Sequence, residues 1–346
     1  MADQLSRRTA LGLGVAATAA SLGIASPAAA APAAAAPVSG AKRVKDAYAK
    51  EKKKAKGTWH THIAAVNHAG ALKTIVADDA DHVTYGYSVQ KIAVAAAVLE
   101  TCDRNNIPLS TKYELPADLI LGGTGIYFLH QVWGDQITIA NFLTAMLLVS
   151  DNTAVRMCGL VVPALDINKI LAEKGFVHTR VEPVANPKRF YLGTTTPRET
   201  HTLLWKLANK TLLKPASCDF MLSILRWQNG YHDGVRRNMS SAERSRVATK
   251  YGADFNTLGA SRHEAGIMFG PDGAPKLTYA MFAEGLGQRD NYGATHPAVQ
   301  AHAVLGRTMF DALPSLSAKP ATAASATAAR PVPRVDLTPF VPVNGG

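Results

Sequence analysis

Cysteine is scarce in this 346-residue chain, which has only Cys102, Cys158 and Cys218. Three so widely spaced cannot form a disulfide framework, and none stands at metal-ligand spacing. Cys102 and Cys158 fall in apolar helical patterns and read as small buried residues. No internal apolar run is long enough to cross a bilayer, so stable membrane insertion is not expected. A glycine-rich phosphate loop and an internal repeat are also missing. Acidic residues are outnumbered 26 to 37, giving a net charge of +11. Most of that surplus is local: residues 42–56 carry +6 and the first ten carry +1, which leaves +4 for everything else. One basic segment without interleaved aromatics argues against a nucleic-acid groove. It reads first as a solvated helical face and second as a weak attraction to an anionic cell envelope.

The chain opens with Ser6-Arg7-Arg8-Thr9-Ala10-Leu11, a mildly apolar Ala/Gly/Leu stretch, and Ala-rich candidate cleavage sites around Ala28 to Ala36. That order of charged, apolar and small residues reads as a twin-arginine-type export leader over residues 1–37, and places the mature protein outside the cell or in its envelope. A basic helical lead-in follows over 38–57. The main folded domain is expected over 58–316, and an Ala/Pro-rich disordered tail over 317–346.

Within the domain, Thr58 to Val66 and Leu72 to Ala77 read as strands around the turn Asn67-His68-Ala69-Gly70. Ile92 to Leu99 is apolar and Ala-rich, and is helical by propensity. Helical patterns continue to Trp227. Strands return at Arg246–Tyr251, Arg262–Met268 and Lys276–Glu284, and a helix over Pro297–Leu313 closes the domain. This order predicts an α/β (α+β) fold: a mixed sheet built from both chain ends, with flanking helices and an all-helical lobe inserted at about 88–228. A cleft between sheet edge and lobe is a natural small-molecule site.

Four groups of residues carry chemistry. In Ser88-Val89-Gln90-Lys91, three-residue spacing on a helix puts hydroxyl and amine on one face. Ser88 lies where the helix dipole favours a developing negative charge. The apolar run after Lys91 desolvates its amine, which lowers its pKa and makes the proton-accepting form accessible. Ser150-Asp151-Asn152 is either a helix N-cap or a proton-relay hydroxyl followed by an amide that holds substrate or Lys91. Lys250-Tyr251-Gly252 ends a predicted strand. There a cation can meet an acidic substrate group, and the amide of Ala253 can join that of Ser88 in an oxyanion hole. Glu182 and Asn186, four apart in a Pro-containing loop after Arg180, are either solvated or a clamp for one water. His60-Thr61-His62 puts two imidazoles on one strand face. No third ligand is evident, so solvated histidines and no metal are expected. His263-Glu264 is not a zincin motif, since Ile267 stands where the second histidine belongs.

Ser-x-x-Lys, Ser-Asp-Asn and Lys-x-Gly, in that order, resemble the motif set of class A β-lactamases and penicillin-binding proteins. Gly122-Gly123-Thr124-Gly125-Ile126, Thr194-Thr195-Thr196-Pro197 and His263-Glu264-Ala265-Gly266-Ile267 also resemble class A sequences, and the likeness runs from about Lys56 to Leu313. It implies a β-lactamase/transpeptidase-like fold, with Ser88 as acylated nucleophile, Lys91 as proton acceptor and Ser150 as relay. Asn152 would position substrate, Lys250 would meet its carboxylate, and Glu182 with Asn186 would hold the deacylating water. The implied activity is β-lactam hydrolysis. D-alanyl-D-alanine peptidase or esterase activity, or penicillin binding without turnover, are the alternatives. The implied partner is a small β-lactam or cell-wall peptide, acted on by a monomer without cofactor. Two departures stand out. Tyr251 replaces the usual small hydroxyl residue. Gly193 replaces the aspartate that usually pairs with the loop arginine, here Arg180.

Overall fold

The computed structural model describes residues 39–129 and 134–317. The leader and tail expected over 1–37 and 317–346 lie outside these residues, apart from Ser317. The strands are β1 (Thr58–Val66), β2 (Leu72–Asp78), β3 (Thr84–Tyr85), β4 (Lys112–Glu114), β5 (Gln136–Thr138), β6 (Arg180–Pro183), β7 (Phe190–Thr195), β8 (Val247–Asn256), β9 (Gly259–Phe269) and β10 (Pro275–Leu286). The helices are α1 (Gly40–Ala55), α2 (Lys91–Asn105), α3 (Ile139–Leu148), α4 (Asn152–Val161), α5 (Ala164–Glu173), α6 (Pro197–Ala208), α7 (Pro215–Leu225), α8 (Ser241–Arg244) and α9 (Pro297–Ser317).

A five-stranded sheet in the order β2-β1-β10-β9-β8 joins both ends of the chain, as expected. Its strand directions differ from expectation. All four pairings are antiparallel, so the sheet is not mixed. Short turns explain this for β1–β2, β8–β9 and β9–β10, because a parallel neighbour needs a long crossover; β1 and β10, from opposite ends of the chain, are joined by no such turn. Both faces are covered. Ala265, Ile267, Ala280 and Phe282 pack toward the helical lobe. Ile63, Tyr279, Met281 and Ala283 pack toward α1 and α9. Burial on both faces is why these strands read as nearly continuous apolar runs instead of alternating.

α2 is the axis of the lobe. Ile92 to Leu99 is almost wholly excluded from solvent, as expected of a helix that is apolar all round. The lobe is not all-helical, however: it carries the small sheets β3-β7-β6 and β4-β5. The basic segment at 42–56 forms α1, which is not merely a solvated lead-in. Val44, Tyr48 and Ala55 face the core, and the lysines line the opposite side. His60 and His62 were expected to be solvated; both are buried, since β1 is an interior strand covered on each face.

Candidate active site

Ser88 sits in a single 3-10 turn, Tyr87–Gln90, that runs directly into α2. Tyr87 has the left-handed φ of 45°, an uncommon conformation for a bulky residue and one that recurs at functional sites. The turn is pressed against β8, the edge strand of the sheet. A Cβ on Gly252 would lie 3.0 Å from the Ser88 nitrogen and 2.9 Å from that of Val89. Only a glycine lets the edge strand come this close to the Ser88 turn.

Lys91 is fully buried. Its Nζ donates to the Ser150 carbonyl at 2.6 Å, to Asn152 Oδ1 at 2.8 Å and to Ser150 Oγ at 3.0 Å. Burial, reinforced by the charge of Lys250, pushes the Lys91 pKa far down. The Lys91 amide donates to the Ser88 carbonyl, but no side-chain hydrogen bond joins the Ser88 hydroxyl to the Lys91 amine among the described residues, contrary to what three-residue spacing suggests. The 3-10 turn places Ser88 off the α-helical face, and the amine is taken up by the Ser150–Asn152 segment.

That segment settles how its three residues divide their work. Asp151 is the N-cap of α4, accepting from the Ala154 amide at 2.8 Å, and its other oxygen accepts from the amides of Ile126 and Tyr127. Ser150, at φ 58°, is turned toward the lysines instead. Asn152 links Lys91 to the Gly122 carbonyl through its two amide atoms. The glycine-rich stretch Gly122–Ile126 thus braces the segment, and Thr124 Oγ1 donates to the Ser150 carbonyl at 2.6 Å.

Lys250 Nζ lies 3.0 Å from the same Ser150 Oγ. Burial lowers its pKa to about 7. One hydroxyl therefore lies between two desolvated amines. Such a hydroxyl can accept from one amine and donate to the other, which is the requirement for passing a proton. Ser88, Ser150, Asn152, Lys250, Tyr251, Ala253 and Glu182 all line one cleft of about 1240 Å³, between the sheet edge and the lobe.

The water clamp does not form as a pair. The Arg180–Asn186 segment is not a loop throughout. Arg180–Pro183 is β6, and Glu182 stands opposite Tyr191 of β7. Glu182 faces the cleft, half-buried. Asn186 is exposed at the turn, where its Oδ1 accepts from the Lys188 amide at 2.9 Å, so it does not line the cleft. Arg180 forms no ion pair among the described residues. Gly193 has φ 70°, and a Cβ there would strike the Arg180 carbonyl. The hairpin therefore closes where an arginine–aspartate pair was missing. It is also tied down by Asn168, whose amide bonds both backbone groups of Val181.

Tyr251 stacks on Tyr231, with ring centroids 4.4 Å apart. Its hydroxyl points at the Tyr292 carbonyl, 3.5 Å away. The phenol belongs to an aromatic wall of the cleft. Gln90 escaped sequence reasoning, because it occupies an unconstrained position of Ser-x-x-Lys. Buried in the Ser88 turn, its Nε2 lies within hydrogen-bond distance of the carbonyls of Arg180, Leu192 and Thr194. It fastens the β6–β7 hairpin to that turn.

No curated protein sequence matches this chain. Solved structures do match in fold. A β-lactamase from Sphaerobacter thermophilus is 21% identical, with 79% of this chain and 97% of that one covered and a TM-score of 0.62. A β-lactamase from Xanthomonas campestris is 19% identical, with 80% and 99% covered and a TM-score of 0.64. PBP-A, solved as an acyl-enzyme complex with penicillin G, is 20% identical, with 80% and 97% covered and a TM-score of 0.61. Residues 41–313 match the sequence model of the β-lactamase enzyme family. This chain belongs to the β-lactamase enzyme family.

Proposed function

We propose that this protein is an exported serine hydrolase that opens β-lactams through an acyl-Ser88 intermediate. The observation that carries the reading is Ser150 Oγ held 3.0 Å from both Lys91 and Lys250 at the foot of the cleft that Ser88 lines. The leader-like N-terminus supports export. In this reading Ser88 Oγ attacks the lactam carbonyl carbon while neutral Lys91 takes its proton. Closing that contact draws the amine away from one of its present acceptors. The amides of Ser88 and Ala253 receive the oxyanion. As the C–N bond breaks, the proton passes from Lys91 through Ser150 to the lactam nitrogen. Lys250, when charged, holds the substrate carboxylate. Glu182 then deprotonates a water that attacks the ester carbonyl, releasing the acid and restoring the Ser88 hydroxyl.

The hairpin geometry favours a second outcome for the last step. With Asn186 turned away, Glu182 alone must position the water, so deacylation is expected to lag behind acylation. The test is intact-mass measurement with a penicillin, beside a chromogenic cephalosporin. Wild-type protein should gain one penicillin mass, and Ser88→Ala should gain none. Glu182→Gln should hold the adduct longer than wild type. A Ser88→Ala protein that is still acylated would overturn the assignment of the nucleophile. Adduct loss at the wild-type rate in Glu182→Gln would remove the glutamate from the mechanism.

A further inference from the structure

Beyond the cleft, a second group of reactive side chains gathers where β1, β10 and the 79–82 turn meet. The rings of His60 and His82 stack in parallel, with centroids 3.8 Å apart and planes 5° from each other. Asp79 Oδ2 lies 2.9 Å from His60 Nδ1 and 3.5 Å from His82 Nδ1. A carboxylate only accepts, so His60 Nδ1 carries the proton and donates it to Asp79. The lone pair of His60 is thereby fixed on Nε2, which is directed at Glu284 Oε2, 3.7 Å away. The other oxygen, Glu284 Oε1, takes a hydrogen bond from Thr84 Oγ1, so the carboxylate is already oriented. His60, His82 and Glu284 each offer a ligand atom, all within 4.8 Å of one another.

We propose that His60, His82 and Glu284 form a zinc site that straps the 79–85 segment to the sheet. Two imidazoles and a carboxylate are a donor set suited to Zn²⁺. Two ligands on one tetrahedral zinc stand about 3.4 Å apart, given bonds of about 2.0–2.1 Å, so His60 Nε2 and Glu284 Oε2, 3.7 Å apart, need to close by only a few tenths of an ångström, while the His82 ring must turn out of its stack with His60, because an imidazole nitrogen binds a metal in its own ring plane. Asp79 supplies the second carboxylate that fixes a ligating histidine's tautomer in metal sites. His60 is almost fully buried and preplaced, whereas the His82 side chain is 43% exposed and leaves a way in for the ion. The strapped segment continues through Thr84 and Tyr85 into the turn that bears Ser88, so the ion would anchor the lead-in to the nucleophile without touching the cleft.

The test uses the full chain, stripped with a chelator and titrated with zinc chloride. The expected result is saturable binding of one ion per chain, an upward shift in Tm, and slower amide exchange over residues 80–87. His82→Ala, at a partly exposed position that should tolerate it, should lose at least tenfold in zinc affinity and lose the added exchange protection. Glu284→Gln, which keeps an acceptor for Thr84, should weaken binding similarly. The proposal fails if the wild type shows no saturable binding, or if His82→Ala binds zinc as tightly as wild type. These readouts do not involve Ser88, so they stand or fall apart from the hydrolase reading.

Discussion

Lys91 and Lys250 compete for one hydroxyl. Burial and the neighbouring Lys250 ammonium both push the Lys91 pKa well below its ordinary value. Lys250 is lowered to about 7 by burial alone. Near neutral pH Lys250 is therefore only partly charged, and the Ser150 hydroxyl lies 3.0 Å from each amine. A consequence for the pH profile follows, because kcat/KM reports groups of the free enzyme. Lys250 is charged below about 7 and neutral above it, so kcat/KM for a carboxylate-bearing penicillin should fall as pH rises through that value. Arginine does not deprotonate in this range. Lys250→Arg, read in stopped-flow acylation between pH 5.5 and 9, should flatten the basic limb even if its absolute rate is lower. A limb that persists unchanged would assign the titration elsewhere.

At the scale of elements, the β6–β7 hairpin decides where Glu182 points, and Gln90 decides where the hairpin sits. Replacing this buried amide removes its bonds to the hairpin carbonyls, the shortest being that to Thr194 at 2.6 Å, at about 1–3 kcal/mol for a buried polar group. Gln90→Leu should lower Tm by several degrees. It should also slow release of the acyl-enzyme more than its formation, since Ser88 and Lys91 remain on α2 and its lead-in turn. Equal slowing of both steps would show that the hairpin does not act alone. The same hairpin marks the limit of what the sequence discloses. The strands β1, β2, β8, β9 and β10 were legible because apolar residues cluster there and turns punctuate them. Helix α2 was legible because Ile92–Leu99 has no polar side. β6 was not, because Pro183, Asn186 and Pro187 are loop-forming residues and its strand character comes from a partner, Phe190–Thr195, and from Asn168. That Ser88, Ser150 and Lys250 come together at one cleft was readable from motif order. Their hydrogen bonds were not, because a single 3-10 turn before α2 redirects Ser88 away from Lys91.

For the whole molecule, one costly buried group lies outside the cleft. Glu264 on β9 is fully buried, bonded to the Val235 amide and Thr249, with Tyr279 behind Thr249. Burial raises its pKa to about 7 from an ordinary 4.5. Between those values the folded chain keeps a proton that the unfolded chain has released, so the stabilising contribution of Glu264 is lost as pH rises through that window. His62, His201 and His302 act in the opposite sense at lower pH, being held neutral by burial. The informative quantity is therefore the difference between wild type and Glu264→Gln. That difference in unfolding free energy should favour the variant progressively from pH 5 to pH 8 in denaturant titrations, and a constant difference would mean that Glu264 does not titrate there.

The pairing of α1 with α9 has a different consequence. Arg43 reaches Ser315 at 3.2 Å, and Gly40 abuts the same serine, so the first and last described helices run out side by side. Both pack on the sheet face opposite the lobe. A short linker from Ser317 to Ser39 would close the chain into a ring, and the exposed Pro271–Gly273 turn offers a place to reopen it. The order in which the strands are written in the gene is thus separable from the architecture they build. Either end of the domain can be tethered to a surface or fused to another protein while the cleft stays free.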